Sequence, residues 1–155
     1  MRELSGTTQE FFRKDDDRWE SKTEELENAK VVESLYRAIE RSDVAAFKNT
    51  LDESVQLDIV GPNEIPFSGS ASGREAVVEF AIQNFSQLQE QNAQIVEVVA
   101  QGNFVVVFGQ ETGKFKQSGS GPSDPYEIEW IQRFKISNGH VMSIKQIFVA
   151  SMKAD

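Results

Sequence analysis

The side chains here best suited to chemistry are carboxylates set among apolar residues. Asp58 lies inside the alternating run Val55, Leu57, Ile59, and Glu127 and Glu129 stand two residues apart, on one face of a strand. A carboxyl turned into an apolar interior has its pKa raised by burial and becomes a general base or acid near neutrality. Asp58 would be such a base if a bulge turned it inward. Its alternation with Leu57 and Ile59 otherwise sends it to solvent or to a subunit contact. Glu127 and Glu129 read as partners of Lys114, Lys116 or Lys145 on adjacent strands. Gln132 shares its strand face with Tyr126, Ile128, Trp130 and Phe134. It brings to that face an amide that can orient a ligand carbonyl or hydroxyl but cannot act as a base at neutral pH. By the same alternation Met142, Ile144, Gln146 and Phe148 look inward in the last strand, and Phe104, Val106, Phe108 and Gln110 form a similar set. The polar groups expected inside are therefore amides and a phenol, with no carboxylate. His140, the single histidine, follows Gly139 and reads as an exposed turn residue. With no cysteine and one histidine, a thiol nucleophile, a disulfide framework and the usual zinc sites are excluded, and no metal or cofactor is expected.

The elements that must position these groups come in a telling order. Helical periodicity fills residues 22–88 and strand periodicity runs from 93 to 149. Ser21-Lys22-Thr23-Glu24 has capping-box spacing and opens a helix to Arg41 whose stripe is Val31, Leu35, Ala38 and Ile39, with Val32 and Tyr36 alongside. Ser42-Asp43 ends it and caps a second helix over Val44 to Leu51; Val55 to Val60 is the first strand. Gly61 to Gly73 reads as a loop with Ile65-Pro66-Phe67 as a candidate short edge strand, and Ser72-Gly73-Arg74-Glu75 as a second capping box. The helix it opens carries Val77, Phe80, Ala81, Ile82, Phe85 and Leu88 inward. Four strands finish the chain: Ala93 to Ala100, Phe104 to Phe115, Tyr126 to Ile136 and Val141 to Val149, with turns at Gln101-Gly102-Asn103 and Ser137-Asn138-Gly139 and a loop over 118–125. Phe104 to Phe108 is apolar on both faces, so both sides of the sheet must be covered: by helices on one, by another subunit on the other. The fold class is α+β: a curved, mostly antiparallel sheet with three helices on its concave side.

At 155 residues the chain has the size of one domain, and 39% hydrophobic residues with eleven Phe suit a globular core. Residues 1–21 form a polar extension, relieved by Phe11, Phe12 and Trp19, and 22–155 a single domain. A formal net charge of −9 argues against nucleic acid or an anionic membrane as partner. The opening residues lack the apolar stretch of a signal peptide, so the expected location is cytoplasmic.

Three stretches resemble the nuclear transport factor 2-like superfamily, in its SnoaL-like and ketosteroid-isomerase-like branch. They are Leu35 to Asp43 with Phe47; Gly73-Arg74-Glu75-Ala76-Val77 with Phe80; and Trp130-Ile131-Gln132-Arg133-Phe134 closed by Gly139-His140-Val141. The resemblance covers about residues 30–150. It implies a cone-shaped α+β barrel, an apolar pocket between the sheet's concave face and the helices, and a homodimer through the outer face. It places Leu35, Ile59, Phe80, Phe108, Trp130 and Phe148 in the pocket wall. Ketosteroid isomerase uses an Asp base with an oxyanion hole of a Tyr and a protonated Asp. Anchored on Ser42-Asp43, those positions fall on Ile59, Leu35 and Trp130, each one residue from a polar neighbour: Asp58, Tyr36 and Glu129. The resemblance thus implies two functions. One is an isomerase, cyclase or dehydratase without cofactor, acting on a small hydrophobic molecule, with Asp58 as base and Tyr36 or Gln132 steadying the oxyanion. The other is a binding or association module without chemistry.

Overall fold

Residue alternation and helical stripes produce one curved sheet with three helices laid into its concavity. The computed structural model describes residues 3–5, 23–62, 67–116 and 125–153. Strand β1 is Glu3–Ser5; helices α1 and α2 are Thr23–Glu40 and Val44–Asn49; strands β2 and β3 are Leu51–Val60 and Gly69–Ser72; helix α3 is Arg74–Ser86; strands β4 to β7 are Leu88–Gln101, Phe104–Phe115, Pro125–Ser137 and His140–Lys153. The sheet order is β1-β4-β5-β6-β7-β2-β3, antiparallel except for β1 on β4 and β2 on β7. It curves round the helices without closing into a barrel. Ser21, Ile65-Pro66, residues 118–124 and the aromatics Phe11, Phe12 and Trp19 lie outside the described residues.

Helix α1 has Glu24 and Glu25 in its first turn and Arg37 in its last, charges that oppose the helix dipole favourably. Its buried residues Ala29, Val32, Leu35, Tyr36 and Ala38 recur at three- and four-residue intervals and pack on β4 to β7. Asn28 fixes its start: the buried amide Nδ2 donates to the Gly102 carbonyl at 3.1 Å, and Glu25 accepts from the Gly102 N–H at 3.2 Å. The β4–β5 turn therefore anchors the end of α1 opposite Tyr36. Asp43 caps α2, its carboxylate accepting from the Ala46 N–H at 3.0 Å.

Several boundaries differ from the sequence reading. β2 begins at Leu51 and not at Val55, because the chain pairs with β7 at once, Leu51 opposite Val141, and then shifts register before Gln56. Asp52 folds back within that irregular stretch and accepts from the Ser54 hydroxyl at 2.7 Å and its N–H at 2.9 Å. Gly69–Ser72 is a strand, hidden by its glycine and serine content, that pairs antiparallel with β2. Ser72 consequently does not cap α3. Its hydroxyl donates to Gln56, and the cap position is Gly73, whose φ of 92° needs glycine.

The largest correction concerns β5. The buried residues are Val105, Val107, Gly109, Glu111 and Gly113, whereas Phe104 is exposed and Val106 and Phe108 are half-buried on the outer face. Hydropathy could not decide this parity, because Phe104 to Phe108 is apolar on both faces. Glycines decide it. A Cβ at Gly109 would collide with the six-membered ring of Trp130, its cross-strand partner, and a Cβ at Gly113 would come 2.6 Å from the Tyr126 hydroxyl oxygen. Two inward positions of β5 are glycine so that two large rings from β6 can lie across them.

Candidate functional site

The helices and the sheet line a cavity of about 90 Å³. One water needs about 10–15 Å³ by the same measure, so the space admits a small organic molecule. Its wall is mainly apolar: Leu35, Ile39 and Phe47 from the first two helices, Val77, Phe80, Ala81 and Phe85 from α3, and Leu57, Ile59, Phe134, Ile144 and Phe148 from the strands. Phe67 joins Phe148 and Phe115 at centroid distances of 6.2 and 5.5 Å, and Phe115 stacks on Tyr126 at 4.8 Å.

Two hydrogen-bonded polar clusters interrupt this wall, beside Asn84, whose Nδ2 donates to the Phe67 carbonyl at 3.5 Å. The first lies where α1 crosses β6 and β7. Tyr36, 0% exposed, donates its hydroxyl proton to Gln132 Oε1, and Gln132 Nε2 donates to Gln146 Oε1 at 2.9 Å. These bonds run in one direction, phenol to amide to amide, so the relay ends on the Gln146 amide nitrogen. Gln132 and Gln146 both line the cavity. Their N–H groups can donate to a ligand carbonyl or hydroxyl oxygen. Tyr36 packs edge-on to Phe134, with centroids 5.9 Å apart, and acts on the cavity through Gln132.

The second group was missed by the sequence reading, which placed no carboxylate inside. Glu111 is 4% exposed and lines the cavity. Its Oε2 accepts from the Tyr126 hydroxyl at 2.7 Å and from Gln91 Nε2 at 2.9 Å. Burying a carboxylate is costly unless hydrogen bonds replace its water, and these two neutral donors do so. A signal was present in the sequence: Gly109, Glu111 and Gly113 recur with period two, a glycine on each side of the acid. The two flanking glycines make the room that Trp130 and Tyr126 occupy beside it.

The sequence-predicted residues divide accordingly. Tyr36 and Gln132 come together. Asp58 does not join them: the bulge lies upstream, between Leu51 and Gln56, so ordinary alternation resumes and turns Asp58 outward, its side chain 53% exposed and 3.8 Å from Lys145. Leu35, Ile59, Phe80 and Phe148 line the cavity. Phe108 faces outward with its strand parity. Trp130, 1% exposed, packs over Gly109 and is not among the cavity-lining residues. Glu127, Glu129 and His140 are exposed, and Lys114 pairs with Glu90 at 3.9 Å. Among the described residues no three side chains able to ligate a metal come together, and no helix is long and apolar enough to cross a membrane.

The sequence profile of the SnoaL-like domain matches residues 32–144, the span from the buried stripe of α1 to the inward face of β7. The chain belongs to the SnoaL-like domain family. Solved structures agree with this placement in the nuclear transport factor 2-like superfamily. The SnoaL-like chain is 25% identical to an NTF2-like protein from Burkholderia xenovorans LB400, covering 79% of this chain and 88% of that one with a TM-score of 0.64. A protein from Jannaschia sp. CCS1, provisionally named a SnoaL-like polyketide cyclase, gives a TM-score of 0.70 at 16% identity over 84% and 90% of the two chains. TerC, co-crystallised with polyporic acid, gives 0.62 at 19% identity over 79% and 91%. No curated protein matches the chain.

Proposed function

We propose that this SnoaL-like domain binds a small, largely apolar molecule carrying an oxygen function, with the oxygen held by the amides of Gln132 and Gln146. The observation that carries this reading is the directed relay from Tyr36 to Gln146, which ends on hydrogen-bond donors in a mainly apolar cavity. Such a donor selects a carbonyl or hydroxyl over a hydrocarbon of the same shape, since filling the cavity without an acceptor leaves a desolvated N–H unpaired. TerC, a protein of similar fold, was crystallised with a small organic molecule, polyporic acid. The test is a calorimetric titration with acetophenone and with ethylbenzene, its counterpart without the oxygen. The wild type is expected to prefer the ketone, and Gln146→Leu to lose that preference while still binding ethylbenzene. Equal affinity for both probes in the wild type would contradict the reading.

An isomerase, cyclase or dehydratase working by acid–base chemistry is the second reading, and one observation favours it: Glu111 puts a carboxyl in the cavity wall. Asp58 has no part in it, since it faces away from the cavity. The same fold supports a homodimer through the sheet's outer face, where cross-strand partners Val60, Ile147, Ile131 and Phe108 form an apolar row over four strands.

A further inference from the structure

The two polar groups of the cavity lie at different levels of the same strand pair. Gln132 stands opposite Val107, and Glu111 stands opposite Ile128, four residues further along β5. At about 3.3 Å per residue the two levels are roughly 13 Å apart. Between them sits the Gly109 level, where the Trp130 ring covers the sheet. The chemistry of the two ends is opposite. The amides of Gln132 and Gln146 end a relay that donates, whereas Glu111 is a carboxylate and can only accept when ionised. The acceptor end is held firmly: Tyr126 and Gln91 both donate to Glu111 Oε2, Phe115 stacks on the Tyr126 ring, and Gly113 leaves that ring its place.

We infer that the cavity has a second subsite at Glu111, which takes a hydroxyl or phenol donor on the same molecule whose oxygen acceptor is held by Gln132 and Gln146. This deepens the reading above and rests on it. It narrows the ligand class to a two-ended molecule, an acceptor on one side of an apolar body and a donor on the other. Both ends line one cavity of about 90 Å³, so a single ring with para substituents is the simplest probe that presents both groups.

Three single-ring probes separate the two ends: 4-hydroxyacetophenone carries both groups, 4-methoxyacetophenone lacks the donor, and 4-ethylphenol lacks the carbonyl. Affinities are measured by titration calorimetry on the full chain, on Glu111→Gln and on Gln146→Leu. In the wild type 4-hydroxyacetophenone should bind about 10-fold or more tighter than 4-methoxyacetophenone, the discrimination expected when a buried acceptor is left without a donor. Glu111→Gln keeps the shape and an oxygen for Tyr126 and Gln91. It should weaken 4-hydroxyacetophenone and 4-ethylphenol about 10-fold and leave 4-methoxyacetophenone unchanged. Gln146→Leu should do the reverse, weakening both ketones and sparing 4-ethylphenol. If hydroxy and methoxy probes bind the wild type equally, or Glu111→Gln weakens all three alike, the second subsite is overturned while the cavity reading stands. If no probe binds the wild type, the cavity reading fails and this inference falls with it.

Discussion

Tyr36 and Asp58 show how one residue of offset separates an interior group from a surface one. Tyr36 occupies a helix, where its position beside the apolar stripe still turns it into the core and onto Gln132. Replacing it by Phe removes one partner of a buried hydrogen bond and leaves Gln132 Oε1 short of a donor. Tyr36→Phe should therefore cost about 1–3 kcal/mol in a denaturant melt, despite keeping the ring. Asp58 occupies a strand, where one position of offset reverses the face, and its ion pair with Lys145 is half exposed. Asp58→Asn should change stability by no more than about 0.5 kcal/mol and leave ketone binding intact. Gln132 and Gln146 were legible from alternation, since each interrupts an apolar face with period two. Glu111 was not, because the inward face of its strand reads Gly109, Glu111, Gly113 and resembles a polar, outward one. Only the rings of Trp130 and Tyr126 on the next strand reveal why those positions are small.

Among the elements, β5 and β2 carry the clearest consequences. Gly109 has no room for a side chain under Trp130, so Gly109→Ala must displace an indole that is fully buried. Overpacking of this kind costs about 1–3 kcal/mol, and the change should appear as a lowered melting temperature with altered Trp130 fluorescence. Asp52 lies in the irregular start of β2. The Ser54 hydroxyl, and after it the Ser54 N–H, hold the Asp52 carboxyl below its ordinary pKa. A carboxyl whose folded pKa is lowered contributes stability above its unfolded value, about 3.9, and loses it as pH falls through the folded value. Ser54→Ala should therefore destabilise the protein at pH 7 and have less effect near pH 2, as read from paired thermal melts. The helices were legible because their stripes and the Asp43 cap are local signals. β3 and the start of β2 were not: pairing with β2 makes Gly69–Ser72 extended, pairing of Leu51 with Val141 of the distant β7 starts β2 early, and nothing in their own composition requires it.

At the scale of the molecule, a sheet covered by helices on one face leaves the other to be accounted for. The order of helical and strand periodicity already implied the curved sheet and its concave contents. The same pattern implied a covered outer face, since Phe104 to Phe108 is apolar on both sides. The structure gives that face a shape, with Val60, Val99, Phe104, Ile147 and Val149 exposed around the row that Ile131 and Phe108 complete. If two copies meet there, Ile131→Glu should shift the mass measured by light scattering from twice the chain mass to the chain mass, without changing the circular dichroism spectrum. The cavity and the outer face lie on opposite sides of the sheet, so each can be probed without disturbing the other. The most direct test of the account is where a bound ketone sits. Proton–proton Overhauser contacts from acetophenone to assigned methyl groups should reach Leu35, Leu57, Ile59, Val77 and Ile144, which surround the cavity. Contacts instead to Val60, Val99, Ile147 and Val149, on the outer face, would contradict it.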